Sequence, residues 1–225
     1  MFIMTQRPKL GAGAAKAFSV EYIGLHHSTT AGTSHTFSGI DIGDPDENRT
    51  VCVFAYTSGG SNANITTATL GGNYMTLQDD FRRDAGTDTA GAVFTYDIAA
   101  GESADLVVSG DFSMSNMQVM VFVVYKATLT AANGAFGVST ATVNTNTVTD
   151  GILIVVGTSS FPTSATVRVT ITGATKLFET TSETTREMGY AAEVVSSGAT
   201  PQSLSVSSVG GGVAGGLVLS FDEAA

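Results

Sequence analysis

The sequence predicts an all-β chain, an antiparallel β-sandwich made of two repeated Ig-like or jelly-roll-like units. Three observations predict it. Apolar residues recur with a period of two or in short continuous runs, and long helical periodicity is absent. Gly, Asn, Asp and Ser separate those runs, which is turn chemistry. The second half then presents the strand types of the first in the same order.

Residues 1–16 read as an extended arm, because Gly11-Ala12-Gly13-Ala14-Ala15 is too small and too flexible to pack well. Alternation begins with Val20, Tyr22 and Gly24 against Ser19, Glu21 and Ile23, and it is clearer over 37–42. The run Val51-Cys52-Val53-Phe54-Ala55-Tyr56 is continuously apolar, as expected of a strand covered on both faces. Further strands are predicted over 65–70, 74–78, 92–98, 106–109 and 119–125. Residues 79–90, with Asp79, Asp80, Arg82, Arg83, Asp84 and Asp88, are predicted as a loop or one short helical turn.

The repeat is read by offset. Residues 50–58 align with 151–159 at an offset of 101, which also sets Leu70 on Ile171 and Gly72 on Gly173. The offset falls to 98 for Gly91 on Gly189, Leu106 on Leu204 and Val108 on Val206, and to 96 for 121–125 on 217–221. Shorter loops in the second copy account for the fall. The predicted organisation is an arm at 1–16, a first unit at 17–127 and a second at 128–225. The copies are either tandem Ig-like domains or two halves of one jelly-roll-like sandwich. The junction at 127–134 is no long polar linker, so the copies are expected to touch.

Composition narrows the function. A hydrophobic share of 43% supports a packed core, so the low charged share of 13% does not signal disorder. Pro is scarce, at 4, which suits uninterrupted strands. The net charge of −10 resolves into +3 on residues 1–16 (Arg7, Lys9, Lys16, no acid) and −13 on the rest. An acidic body disfavours nucleic acid and anionic membranes as partners, whereas a basic arm on it is a docking pattern. The N-terminus lacks a basic start followed by a long apolar stretch, so no signal peptide is predicted. No apolar run reaches the length of a membrane helix.

No residue cluster compels a chemistry. Cys52, the single cysteine, lies inside an apolar strand and is expected to act as a small hydrophobe. His26 and His27 are neighbours that point to opposite faces of a strand, and His35 returns near them, so no metal set is predicted. The segment 41–48, with Asp41, Asp44, Asp46 and Glu47, holds many oxygen ligands but lacks the spacing of a calcium loop; it reads as a turn. No acid pair lines an aromatic cleft, and Trp is absent, which weakens hydrolase and sugar-platform readings. Gly210-Gly211-Gly212 and Gly215-Gly216 precede a strand rather than a helix, which indicates a bulge or a close approach of chains instead of a phosphate cradle. No catalytic residue and no cofactor is predicted. Arg82, Arg83 and Asp84 are the candidate subunit contact.

Thr36-Phe37-Ser38-Gly39-Ile40-Asp41-Ile42-Gly43, the acidic turn with Asn48-Arg49, the strand 51–56, Ala68-Thr69-Leu70-Gly71-Gly72 and the late strand 119–125 together resemble β-sandwich structural proteins of tailed bacteriophages. The resemblance covers residues 36–126 and extends weakly beyond them. It implies a virion component, assembled in the host cytoplasm: a capsid decoration (cement) protein, a head spike or a tail-fibre part. Its implied partners are the major capsid protein or other virion proteins, with homo-oligomers, trimers among them, suited to threefold sites. The arm, through Arg7, Lys9 and Lys16, is then the docking element. An adhesin that binds a host receptor or glycan is the alternative, and an envelope hydrolase a third.

Overall fold

In the computed structural model the apolar run 51–56 becomes a strand with no solvent face. The described residues are 17–58, 64–83, 89–138, 140–145, 151–160, 166–171, 175–182, 189–196, 202–209 and 213–224. They form strands and connections, without a helix. The first half contributes β1 (Ser19–Ser28), β2 (Gly32–Asp41), β3 (Arg49–Ser58), β4 (Ile65–Leu70), β5 (Asn73–Tyr74), β6 (Thr76–Arg83), β7 (Thr89–Asp97) and β8 (Ser103–Tyr125). The second contributes β9 (Ala127–Val138), β10 (Thr140–Thr145), β11 (Ile152–Ser160), β12 (Thr166–Ile171), β13 (Thr175–Ser182), β14 (Gly189–Ser196), β15 (Gln202–Val209) and β16 (Val213–Glu223). All pairings are antiparallel.

Strand β8 belongs to two layers. Its first part pairs with β2 and β4, and its last part with β1 and β3. The first large layer therefore runs β1-β8-β3-β7-β6, and the first small layer β2-β8-β4-β5. The second half has a large sheet, β9-β16-β11-β14-β13, and a small one, β10-β15-β12. Taken in chain order the two halves follow nearly the same plan: β1, β2, β3, β4, β6 and β7 find counterparts in β9 to β14, β8 is matched by β15 and β16 together, and β5 has no counterpart.

Period-two geometry divides β3 between two cores. Val51, Val53 and Ala55 enter the first core with Val119, Val121 and Val123 of β8 and Leu70, Leu106 and Val108 of the small layer. Cys52, Phe54 and Tyr56 enter the second core, where they meet Met120 and Phe122 from β8 and Ile154, Val156, Leu217, Leu219 and Phe221 from the second half. Phe54 and Phe122 pack edge to face at 5.6 Å between centroids. The Tyr56 hydroxyl crosses the layers and donates to the Val156 carbonyl at 2.8 Å. The second small sheet lies against the second large one. Leu153, Val155 and Val218, on the face of that large sheet away from the second core, are fully buried.

Glycine sets the closeness of the large sheets. A Cβ at Gly91 would sit 2.5 Å from Phe81 Cε1, and one at Gly215 would overlap the same ring. Phe81 therefore fits only because β7 and β16 each leave a gap. Gly215 accordingly marks a close approach of chains; residues 210–212 lie outside the described ones.

The structure alters several sequence expectations. Residues 79–83 are not a loop or helical turn but the end of edge strand β6, where Asp80 stays exposed while Phe81 points inward. Arg82 and Arg83 pair there with Ala90 and Thr89 of β7, and Asp84 lies outside the described residues. The predicted strands 106–109 and 119–125 are one strand, β8, of 23 residues. Its polar middle looks like a turn in sequence, yet the strand runs on through it, with Asn116 at φ 55° where it passes from one layer to the other. In β2 strict alternation fails: Phe37 and Ile40 are both buried because the register shifts between them, with Gly39 at φ 61°.

The repeat alignment fares differently in its two parts. In the small sheets it agrees with the pairing: Leu70 faces Leu106 as Ile171 faces Leu204, and Ala68 faces Val108 as Val169 faces Val206. In the large sheets it does not. Val53 pairs with Val121, but their assigned counterparts, Ile154 and Leu217, are not partners; Ile154 pairs with Leu219. Val53 also faces the first core and Ile154 the second. Uniformly apolar strands carry no alternation to fix register.

A core shared by both halves predicts joint unfolding. Phe54→Ala, at the centre of the second core, should cost about 3–5 kcal/mol. Denaturant melts of wild type and variant, followed by far-UV circular dichroism, should each show one transition rather than two.

Candidate functional site

The densest polar construction is the turn that leads into β3. Arg49 is 1% exposed although it carries a full charge. Its Nε donates to the Ile98 carbonyl at 2.8 Å, one terminal nitrogen to the Gly43 and Gly101 carbonyls at 2.8 and 3.0 Å, and the other to Ala100 at 3.0 Å. One guanidinium thus fastens the turn before β3 to the connection that follows β7. Burial lowers its pKa, while Tyr125, Asp44, Asp46 and Asp41 act in the opposite sense.

The acidic segment 41–48 folds onto its own backbone. Gly43 N–H donates to Asp41 Oδ1 at 2.7 Å, and Asn48 N–H to Asp46 Oδ1 at 2.9 Å. Asp44 N–H donates to the Tyr125 hydroxyl at 3.0 Å. Gly43, at φ 80°, sits where a side chain would overlap that hydroxyl. These oxygens act as turn and cap acceptors. Among the described residues no group of three or more His, Cys, Asp or Glu side chains is placed to hold a metal ion.

The histidines gather where β1 passes to β2. His26 is half-buried and lies 6.1 Å from the Phe37 ring, while His27 points outward. His35 is 4% exposed, with Nδ1 3.1 Å from Ser28 Oγ. The Nε2 atoms of His26 and His35 are both buried without a hydrogen-bond partner. Burial lowers both pKa values, and for His35 the Met114 and Gly32 backbone only partly offsets it. Cys52 is fully buried, and desolvation pushes its thiol far up, out of the range of a nucleophile.

The residues predicted as contacts are not brought together. Arg7, Lys9 and Lys16 lie outside the described residues, as does Asp84. Arg82 is half-buried on edge strand β6. The outer surface instead exposes Tyr74 (76%), on the short strand β5, and Phe136 (50%), on β9. Sequence reasoning passed over Arg49. Its signal was available: a cation directly before a strand predicted to be covered on both faces must either leave the core or be saturated with acceptors. No helix among the described residues is long and apolar enough to cross a membrane. No protein-family model, curated protein or solved structure matches the chain.

Two predictions follow from these groups. Arg49→Met strands four carbonyls and should lower stability by about 2–4 kcal/mol, read from the shift in urea midpoint at unchanged m-value. The buried histidines hold their protons less tightly folded than unfolded, so the unfolded chain protonates first on acidification. Stability should therefore be full above about pH 6.5 and decline as the pH falls below it. Tm measured from pH 7.5 to 5 should show that decline in wild type and a flatter profile in His26→Leu/His35→Gln.

Proposed function

We propose that this chain is a non-enzymatic structural protein of a tailed-phage particle, of the capsid-decoration (cement) kind, made of two β-sandwich units of the Ig-like or jelly-roll type. The unit reading is supported by the similar pairing order of the two halves, which differ in that β8 is matched by β15 and β16 together and β5 has no counterpart. The functional reading rests on how the polar chemistry is used. Arg49, a fully buried cation, spends its donors on turn carbonyls and thereby stiffens the fold. Binding then falls to outer faces and to the basic arm. The phage assignment itself rests on the resemblance carried by residues 36–126.

In this reading Arg7, Lys9 and Lys16 dock on the shell or on a neighbouring subunit, the major capsid protein is the partner, and copies assemble as homo-oligomers on the virion. Many weak contacts added together stabilise the shell. One observation favours a second reading, a tail-fibre or adhesin module for a receptor or glycan. Tyr74 stands largely exposed beside Thr69, on a tight hairpin turned by Gly71 and Gly72, a rigid mounting for a ring that could stack on a ligand.

Removal of residues 1–16 tests the first reading. Occupancy on purified particles should fall at least tenfold while the body stays folded. Undiminished occupancy excludes the arm from docking, and a glycan-array signal abolished by Tyr74→Ala would favour the adhesin.

A further inference from the structure

Sheet edges offer unpaired N–H and C=O groups to any extended chain, and soluble proteins defend them with charge, bulges or shortness. Most described edges here carry such a defence. Strand β1 holds Glu21, His26 and His27 and shifts register at Tyr22/Gly24. Strand β2 shifts register twice, and β5 has two residues. Strand β6 carries Asp79, Asp80, Arg82 and Arg83, β13 carries Lys176 and Glu179, and β12 carries Arg168.

Strands β9 and β10 are the exception. Among the described residues each pairs on one side only, β9 with β16 and β10 with β15. From Ala127 to Thr149 the sequence holds no Asp, Glu, Lys, Arg or His. The register of β9 is interrupted once, near Thr130, and then runs unbroken from Ala131 to Val138. Strand β10 is regular throughout. The two strands lie against each other as edges of adjacent sheets, so one side wall of the second half presents two stacked, uncharged edges. Phe136 of β9, on the face it shares with Gly134, is half-exposed, and Thr142 of β10 is exposed. Strand β6 does approach β9, but over its face. A Cβ at Gly134 would point at the Asp80 carbonyl, 3.2 Å away, on the side where Leu217 faces the second core.

We propose that this wall is a self-association surface, on which β9 and β10 of a second copy pair antiparallel about a twofold axis and continue the second large and small sheets across the interface. Charge selects the occupant. Two copies at −10 each repel wherever acids face one another, and an uncharged wall is where identical chains meet without that cost. The matching wall of the first half, β1 with β2, has the same place in the pairing order but carries the acid, the imidazoles and three register shifts. The halves therefore differ at the one feature that decides whether an edge is sticky. The inference does not depend on the phage reading.

The test is the mass of the full chain in solution by light scattering after size exclusion, with circular dichroism as the check on folding. Wild type should show twice the 23.0 kDa chain mass. Phe136→Lys and, separately, Thr142→Lys should reduce it to one chain, while His27→Lys on the opposite wall should leave it doubled. If Phe136→Lys unfolds, Thr142→Lys decides alone. A wild-type mass of one chain at the highest soluble concentration, a mass of three, or a dimer indifferent to Lys at either position would overturn the proposal.

Discussion

A β-sheet ordinarily keeps one face for water. The first large layer of this protein has none to spare, and that constraint organises the rest. Because Val51, Val53 and Ala55 serve one core and Cys52, Phe54 and Tyr56 the other, every residue of the run must be apolar, and every approaching element must fit a surface already committed on its far side. Hence the glycines that admit Phe81, and the Tyr56 hydroxyl that finds an acceptor in the opposing sheet. A polar residue anywhere in the run would lack solvent on either face.

Such a layer can admit polar chemistry only at its ends, and there the protein places Arg49. Its cross-strand partner is Tyr125, whose hydroxyl takes the Asp44 amide. Arginine and tyrosine thus close the layer together, one saturating carbonyls and the other steadying the acidic turn. In the second half Phe221 of β16, the residue that the offset of 96 sets on Tyr125, is buried in the second core and has no hydroxyl to offer. The two halves share a pairing plan but not this closure.

Much of the strand layout was legible because it depends on local pattern. Strand β4 occupies 65–70 as read, and the continuous run at 51–56 was correctly understood as covered on both faces. What escaped depends on context. The charges of 79–83 look like a loop until β6 is known to be an edge, where Asp80 stays exposed. The polar middle of β8 looks like a turn until two layers are found to share the strand. The register of the large sheets was out of reach, since a strand apolar at every position gives the same pattern after a shift. Arg49 was visible as a residue, but its four acceptors come from turns about fifty positions apart in sequence, and no local window contains them. The candidate contacts at Arg7, Lys9, Lys16 and Asp84 fall outside the described residues, whereas Arg82 proved to be part of a strand.

Two halves with similar pairing orders can be compared for where packing leaves them free to differ. The cores were not free: both large sheets must present apolar faces to each other, and both small sheets must cover the remaining side. The edges were free, because an edge residue answers to solvent and to partners rather than to packing. That is where the halves part company, with acid, imidazole and register shifts on β1 and β2 and none of the charge on β9 and β10. Such a difference carries information that a buried difference does not, since packing accounts for substitutions in a core but places no demand for neutrality on an outer wall. A chain with a strong net negative charge that leaves one wall uncharged over two stacked strands has removed from that wall the repulsion that keeps its copies apart elsewhere.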